Sequence, residues 1–193
     1  GYIMKIRFLG AARVVTGSCY HLITDGLQIL VDCGMYQGKN ADEVNRQPFQ
    51  FDPGQIDVLL LTHAHLDHSG LLPKLVADGF KGDIVATAGT AELVEIMLLD
   101  SAHIQERDAE WMKKKSFRSG KDQVYQPLYT EEDAKGVMPF VKKVNYMETL
   151  QLKSGVRYRF IDAGHILGSG SLEIWLNNGD EEKKIVFSGD IGK

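Results

Sequence analysis

Val58-Leu59-Leu60-Leu61-Thr62-His63-Ala64-His65-Leu66-Asp67-His68-Ser69-Gly70 decides how this chain folds. The apolar run Val58 to Leu61 reads as a buried strand that ends at Thr62. His63, His65, Asp67 and His68 follow within six residues. On an extended backbone His63 and His65 point the same way, because side chains alternate with a period of two. Asp67 and His68 then fall where a helix begins, ahead of the apolar Leu71, Leu72, Leu75 and Val76. Neutral imidazole and carboxylate are the donors that Zn²⁺ and similar divalent ions take. One histidine beside a strand is ordinarily a packed or solvated residue. Three with an aspartate gain little as packing and repel one another when protonated, so the cluster reads as a metal site.

Upstream, Lys5 to Leu9 reads as a strand, Gly10 to Ser18 as a small-residue loop, and Cys19 to Thr24 and Leu27 to Val31 as a hairpin turning at Asp25-Gly26. Asp32 ends the second strand, either as a turn-capping carboxylate or as a buried support for the metal site. A polar connection over 34–50 leads to the cluster. Downstream, Leu71 to Ala77 reads as a helix stopped by Asp78-Gly79, and Asp83 to Thr87 as a strand. Thr90 is expected to cap a long amphipathic helix carrying Leu93, Ile96, Met97, Ile104 and Trp111. Within it His103 is read as structural, with a place beside the site as the alternative. Lys113 to Lys121 is locally basic, a solvated helix end or an RNA contact. Thr130-Glu131-Glu132-Asp133 has the form of a capping box. From residue 141 on, strands dominate: 142–147, 149–152, 156–161, 171–176 and 184–187, with a hairpin turn at Asn177-Asn178-Gly179-Asp180. Gly164-His165 and Gly189-Asp190 each follow a strand, and each alone is a weak ligand signal.

The 193 residues suit one domain with a sizeable core, and 44% hydrophobic with 25% charged residues is an ordinary soluble composition. A net charge of −4 gives no overall attraction for nucleic acid, so any grip on RNA must be local. No apolar run is long enough to span a bilayer, and no signal peptide is expected before Met4. Cys19 and Cys33 lack metal-type spacing; they read as reduced, buried thiols of a cytoplasmic protein, with a disulfide as the alternative.

His63-Ala64-His65-Leu66-Asp67-His68 matches the HxHxDH signature of the metallo-β-lactamase fold. Four further blocks extend the match: residues 10–19, Val31-Asp32-Cys33-Gly34, residues 163–169 and residues 187–192. In this order they resemble the β-CASP RNA-processing branch, which includes the cleavage and polyadenylation nuclease and its bacterial and archaeal relatives. The resemblance runs from Met4 to Lys193. It implies an αββα four-layer sandwich and a ribonuclease, in endo- or exonuclease mode, with two zinc sites (Mn²⁺ or Fe being alternatives). It also implies the roles: His63, His65 and His165 on one metal, Asp67 and His68 on the other, Asp190 bridging, Asp32 supporting, and Asp67 orienting the hydrolytic water. In that branch an RNA-clamping domain is inserted after the block matching Ser188-Gly189-Asp190. The chain then returns with a leaving-group acid and a further metal-binding histidine. Residues 4–193 are therefore expected to form the N-terminal part of the catalytic domain, weak or inactive alone, with strand edges that favour self-association. Two other functions share the cluster: hydrolysis of small thioesters or lactones, and a non-catalytic place in an RNA-processing complex.

Overall fold

The computed structural model of the chain describes residues 4–9, 17–121, 124–162, 171–178 and 180–188. Two sheets form the frame. The first has six strands in the order β1 (Met4–Phe8), β2 (Tyr20–Thr24), β3 (Leu27–Val31), β4 (Val58–Leu60), β5 (Asp83–Thr87) and β6 (Val141–Val144). Strands β1 to β3 are antiparallel neighbours, whereas β3 to β6 pair in parallel. The second sheet has the order β10 (Glu181–Phe187), β9 (Ser171–Asn178), β8 (Arg157–Ile161) and β7 (Leu150–Gln151), all antiparallel.

Alternation along the central strands explains why they read as continuous apolar runs. Ile29, Val31, Val58, Leu60 and Val85 pack with Val156, Tyr158, Phe160, Leu172, Ile174 and Leu176 of the second sheet. Their neighbours Leu30, Leu59, Leu61, Ile84 and Ala86 face the opposite way, into a second core. The short helix α1 (Ala41–Asn45) comes first, and the helices α2 (Leu66–Ser69), α3 (Leu72–Ala77), α4 (Ala88–Arg118) and α5 (Glu131–Lys135) close that core. The described layers thus run helix, sheet, sheet, as expected for an αββα sandwich. The outer face of the second sheet is polar. Trp175 lies beneath Arg157, Arg159 and Lys184, with cation-to-ring distances of 5.0, 5.3 and 5.6 Å. Burial alone would raise the Glu173 carboxyl, but hydrogen bonds from Arg159 and Lys184 outweigh it and hold it below its ordinary value.

Several expected elements form as read. The Asp25-Gly26 turn has both residues in the left-handed region, φ 42° and 78°, as a tight hairpin requires. The capping box is complete, with the Thr130 hydroxyl accepting from Asp133 N–H and the Asp133 carboxylate accepting from Thr130 N–H. Other boundaries differ. Helix α4 starts directly at the end of β5 with Thr87 as its N-cap, and Thr90 is buried inside the first turn, its hydroxyl 3.2 Å from that of Thr87. The apolar set expected to face the core is only partly right. The buried side of α4 is Thr90, Ala91, Val94, Leu98, Ser101 and Ala102, while Ile96, Ile104 and Trp111 are 64%, 48% and 60% exposed. Small residues let α4 lie close to its neighbours, and they carry little weight in a hydrophobic periodicity. The connection over 34–50 also holds α1. Asn45 pins it by accepting from Tyr36 N–H (2.9 Å) and donating to Tyr36 O (2.8 Å). Asn177 and Asn178 belong to β9, where Asn178 pairs with Glu181.

Candidate metal centre

Strands β3 and β4 are parallel, so Asp32 and Thr62 leave the sheet at the same edge. Asp32 has φ 63°, is 3% exposed, and its N–H donates to Leu60 O at 3.0 Å. This turn aims the carboxylate at the neighbouring strand. It accepts from Thr62 N–H (2.7 Å), Thr62 Oγ1 (2.6 Å) and His68 Nδ1 (2.7 Å). A carboxylate beside Nδ1 selects the tautomer with the proton there and puts the lone pair on Nε2. His68 Nε2 lies 3.6 Å from Asp67 Oδ2.

The turn after Asp32 also positions α2. Cys33 N–H donates to His68 O, Met35 N–H to Leu66 O and Ser18 N–H to Asp67 O, each at 2.8 Å. These bonds tie the carbonyls of Leu66, Asp67 and His68 to the turn, Leu66 O also accepting from Gly70 N–H at 2.8 Å. They require a close approach at Gly34, where a Cβ would lie 1.7 Å from Asp67 O. Ser69 Oγ ties the helix back to Ala64 O and His65 O.

His63 is 6% exposed, His65 is exposed, and Asp67 and His68 are half-buried. The His63 ring stacks on His68 at 4.6 Å and lies 5.6 Å from His65. Burial first, and then the neighbouring His68, hold His63 below the ordinary histidine value, so it is a neutral imidazole near pH 7. Both of its ring nitrogens are buried without a hydrogen-bond partner among the described residues. An unsatisfied buried polar atom costs about 1–3 kcal/mol. A divalent cation on one of them would relieve that cost, so the residues present fit a metal.

The structure therefore brings His63, His65, Asp67 and His68 to one sheet edge, with Asp32 beneath. His165 and Asp190 lie outside the described residues, as does most of the loop over 10–18. Among the described residues no three His, Cys, Asp or Glu side chains already converge closely enough to hold an ion. His103 sits elsewhere, on α4, with its Nδ1 2.9 Å from Glu131 Oε1; it is structural. Cys19 and Cys33 are free and buried, and contact with Cys19 together with burial pushes the Cys33 thiol well above its ordinary value. No helix among the described residues is long and apolar enough to cross a membrane.

The family model of the metallo-beta-lactamase superfamily matches residues 12–193. The chain belongs to the metallo-β-lactamase superfamily. Ribonuclease TTHA0252 of Thermus thermophilus is 37% identical over 189 residues, 98% of this chain and 38% of that protein. Transcription termination factor FttA of Methanosarcina mazei is 32% identical over 97% of this chain and 27% of its own length. Cleavage and polyadenylation specificity factor 73 of Drosophila melanogaster is 30% identical over 99% and 25%. The superfamily member described here thus spans between a quarter and two fifths of these relatives, and they agree with the resemblance to the RNA-processing branch. Among solved structures, a B3 metallo-beta-lactamase with an active-site glutamic acid superposes with a TM-score of 0.57 at 20% identity, over 95% of this chain and 59% of that one. The di-zinc B3 enzyme LRA-12 gives 0.56 at 17%, over 96% and 60%. At those identities the likeness concerns the fold.

Proposed function

We propose that this chain carries the metal-binding half of the active site of a metal-dependent ribonuclease that acts in RNA processing or decay. The observation that carries the reading is His63: a neutral imidazole, buried with both nitrogens unpartnered, in the centre of His65, Asp67 and His68. The choice of RNA is supported by relatives named as a ribonuclease, a transcription termination factor and a cleavage and polyadenylation factor.

In this reading His63, His65 and His165 would hold one divalent ion, Asp67 and His68 a second, and Asp190 would serve both, with zinc the ion that suits these donors. Two such ions, when bound, acidify water and offset charge that develops on a phosphodiester. The protein's own residues set up that chemistry. Asp32 orients His68 and fixes its proton on Nδ1. Burial keeps His63 neutral and able to ligate. Asp67, on the first turn of α2 with its side chain 37% exposed, orients the attacking water and accepts its proton. The free thiols suit a reducing compartment, and we place the protein in the cytoplasm.

The test is zinc content by elemental analysis after reconstitution, together with cleavage of labelled single-stranded RNA. We expect zinc to be retained by the chain and lost in His63→Ala, and any RNA cleavage to vanish in Asp67→Ala. Failure to retain zinc overturns the metal centre. Hydrolysis of a small thioester by the zinc-loaded chain, without RNA cleavage, overturns the ribonuclease reading.

A further inference from the structure

Helix α4 is far longer than the sheet it covers. Its 31 residues extend about 46 Å, against roughly 17 Å for the five-residue strand β5. Its N-terminus begins at the metal-centre edge, because β5 runs parallel to β4. Core burial ends at Ala102, and beyond it only Ser116 is buried. The second half of α4 therefore projects past the sheet, away from the histidines. Its rear is lined by the returning chain, where Leu128 and Tyr129 donate to Gln105 Oε1.

The distal end of that projection, between Glu110 and Asp122, is basic in an acidic chain. Residues 111–121 contain Lys113, Lys114, Lys115, Arg118 and Lys121 and no acid; with a net charge of −4 overall, the remainder carries −9. Among the described residues none of these five cations is in an ion pair. Trp111, Lys114, Lys115 and Arg118 stand at i, i+3, i+4 and i+7, which makes one stripe. Lys115 Nζ lies 5.1 Å from the centre of the Trp111 ring. Phe117 is flanked by Lys113 and Lys114 one turn back and by Lys121 beyond, and is 82% exposed. The end is built rather than frayed. Gly120 at φ 75° follows the cap, Gly120 N–H donates to Phe117 O at 3.2 Å, and Lys121 N–H donates to Ser116 O at 3.0 Å. That is a Schellman closure, which fixes the directions of Phe117 and Arg118.

Two solvent-exposed rings set among cations that form no ion pair among the described residues match the requirements of single-stranded nucleic acid, which offers a stackable face on every base and a negative charge on every link. We propose that the distal end of α4, Trp111 to Lys121, is a docking surface for single-stranded RNA, remote from the metal centre. Trp111 and Phe117 serve as stacking platforms, and the five cations meet phosphates. The choice of RNA among polyanions rests on the ribonuclease reading. The surface itself rests on charge complementarity and the exposed rings.

The experiment is fluorescence anisotropy of a labelled oligouridylate with the zinc-reconstituted chain over a salt series. Trp111→Ala should weaken binding about 5- to 150-fold, the range for loss of one base–aromatic stack. Lys114→Gln with Lys115→Gln should reduce the slope of log K against log salt by about 1.4, from roughly 0.7 per phosphate contact on a single strand. Lys142→Gln with Lys143→Gln, an equal charge change on β6, should leave both quantities unchanged. In a Trp175→Phe background Trp111 is the remaining tryptophan, and its emission should be quenched by the oligonucleotide. Binding that is indifferent to the Trp111 and Lys114/Lys115 changes overturns the proposal. So does equal affinity for duplex RNA, or Trp111 quenching by anionic phospholipid vesicles but not by RNA. Zinc content and cleavage of bis(p-nitrophenyl) phosphate report the metal centre alone, so failure of the docking surface and failure of the ribonuclease reading are distinguishable.

Discussion

Replacement of Asp32 by asparagine separates the electrostatic role of this residue from its shape. The carboxylate is 3% exposed and accepts three hydrogen bonds of 2.6–2.7 Å, two from Thr62 and one from His68. Asparagine can accept through one atom only. With its oxygen in the Oδ2 position, its amide faces Thr62 N–H, donor against donor. With its amide there, it faces His68 Nδ1, which can respond only by moving its proton to Nε2. A buried unsatisfied donor costs about 1–3 kcal/mol and loss of a charge-assisted bond a similar amount, so we expect roughly 2–3 kcal/mol of destabilisation in the metal-free protein. For a chain of this size that lowers Tm by roughly 4–12 °C. Zinc affinity should fall about 10- to 100-fold, the usual cost of losing the partner that orients a ligating histidine. Differential scanning calorimetry without metal and competition against a chromophoric chelator measure the two effects. Thr62→Val is the comparison, because it removes one bond to Asp32 and leaves the His68 contact intact. It should destabilise while zinc affinity stays within about threefold. An Asp32→Asn protein that binds zinc as the parent does would refute the orientation argument, whatever its melting temperature.

Two further outcomes follow from the same geometry. His63 has a folded-state pKa below its unfolded value, so as pH falls below about 6.5 the unfolded chain takes up a proton that the folded chain refuses. Stability of the metal-free protein should therefore decline on acidification from pH 7 through that window, and His63→Gln should flatten the decline in urea titrations at stepped pH. Gly34→Ala should cost about 3 kcal/mol or more in urea denaturation, because its Cβ would occupy the position of Asp67 O and force apart the turn and α2.

The elements that were legible in the sequence are those fixed by local chemistry. The run 58–61 announces a strand covered on both faces, Asp25-Gly26 a tight turn, and Thr130 with Asp133 a reciprocal cap. The histidine cluster was legible because four donors in six residues have no packing rationale. Tertiary choices were not. Thr90 reads as the cap in the sequence, but the helix starts three residues earlier, straight from β5, and the Thr90 hydroxyl is buried beside that of Thr87. Helix α1 depends on a side-chain amide bonded nine residues back, at Tyr36. The apolar residues of α4 suggested a core-facing stripe, but Trp111 stands on a segment that outruns the sheet. Asp32 could be read as a turn cap or as a support, and what its carboxylate accepts is legible only in three dimensions: Thr62 N–H, Thr62 Oγ1 and His68 Nδ1.

One carboxylate joins the ends of two central strands to α2, so the edge that carries the histidine cluster is braced from behind. The Asp32 amide donates to Leu60 O at the end of the β3–β4 pairing, and the Thr62 amide donates to the buried Asp32 carboxylate. Buried, bonded amides of this kind are expected to exchange with deuterium more slowly than those of fraying helices, which exchange through local excursions. In the proposed function an ion would arrive from the solvent side, where His65 is exposed, against this braced rear wall. In the proposed metal centre an ion would then exchange by changing its own partners against that wall, without unfolding of the protein.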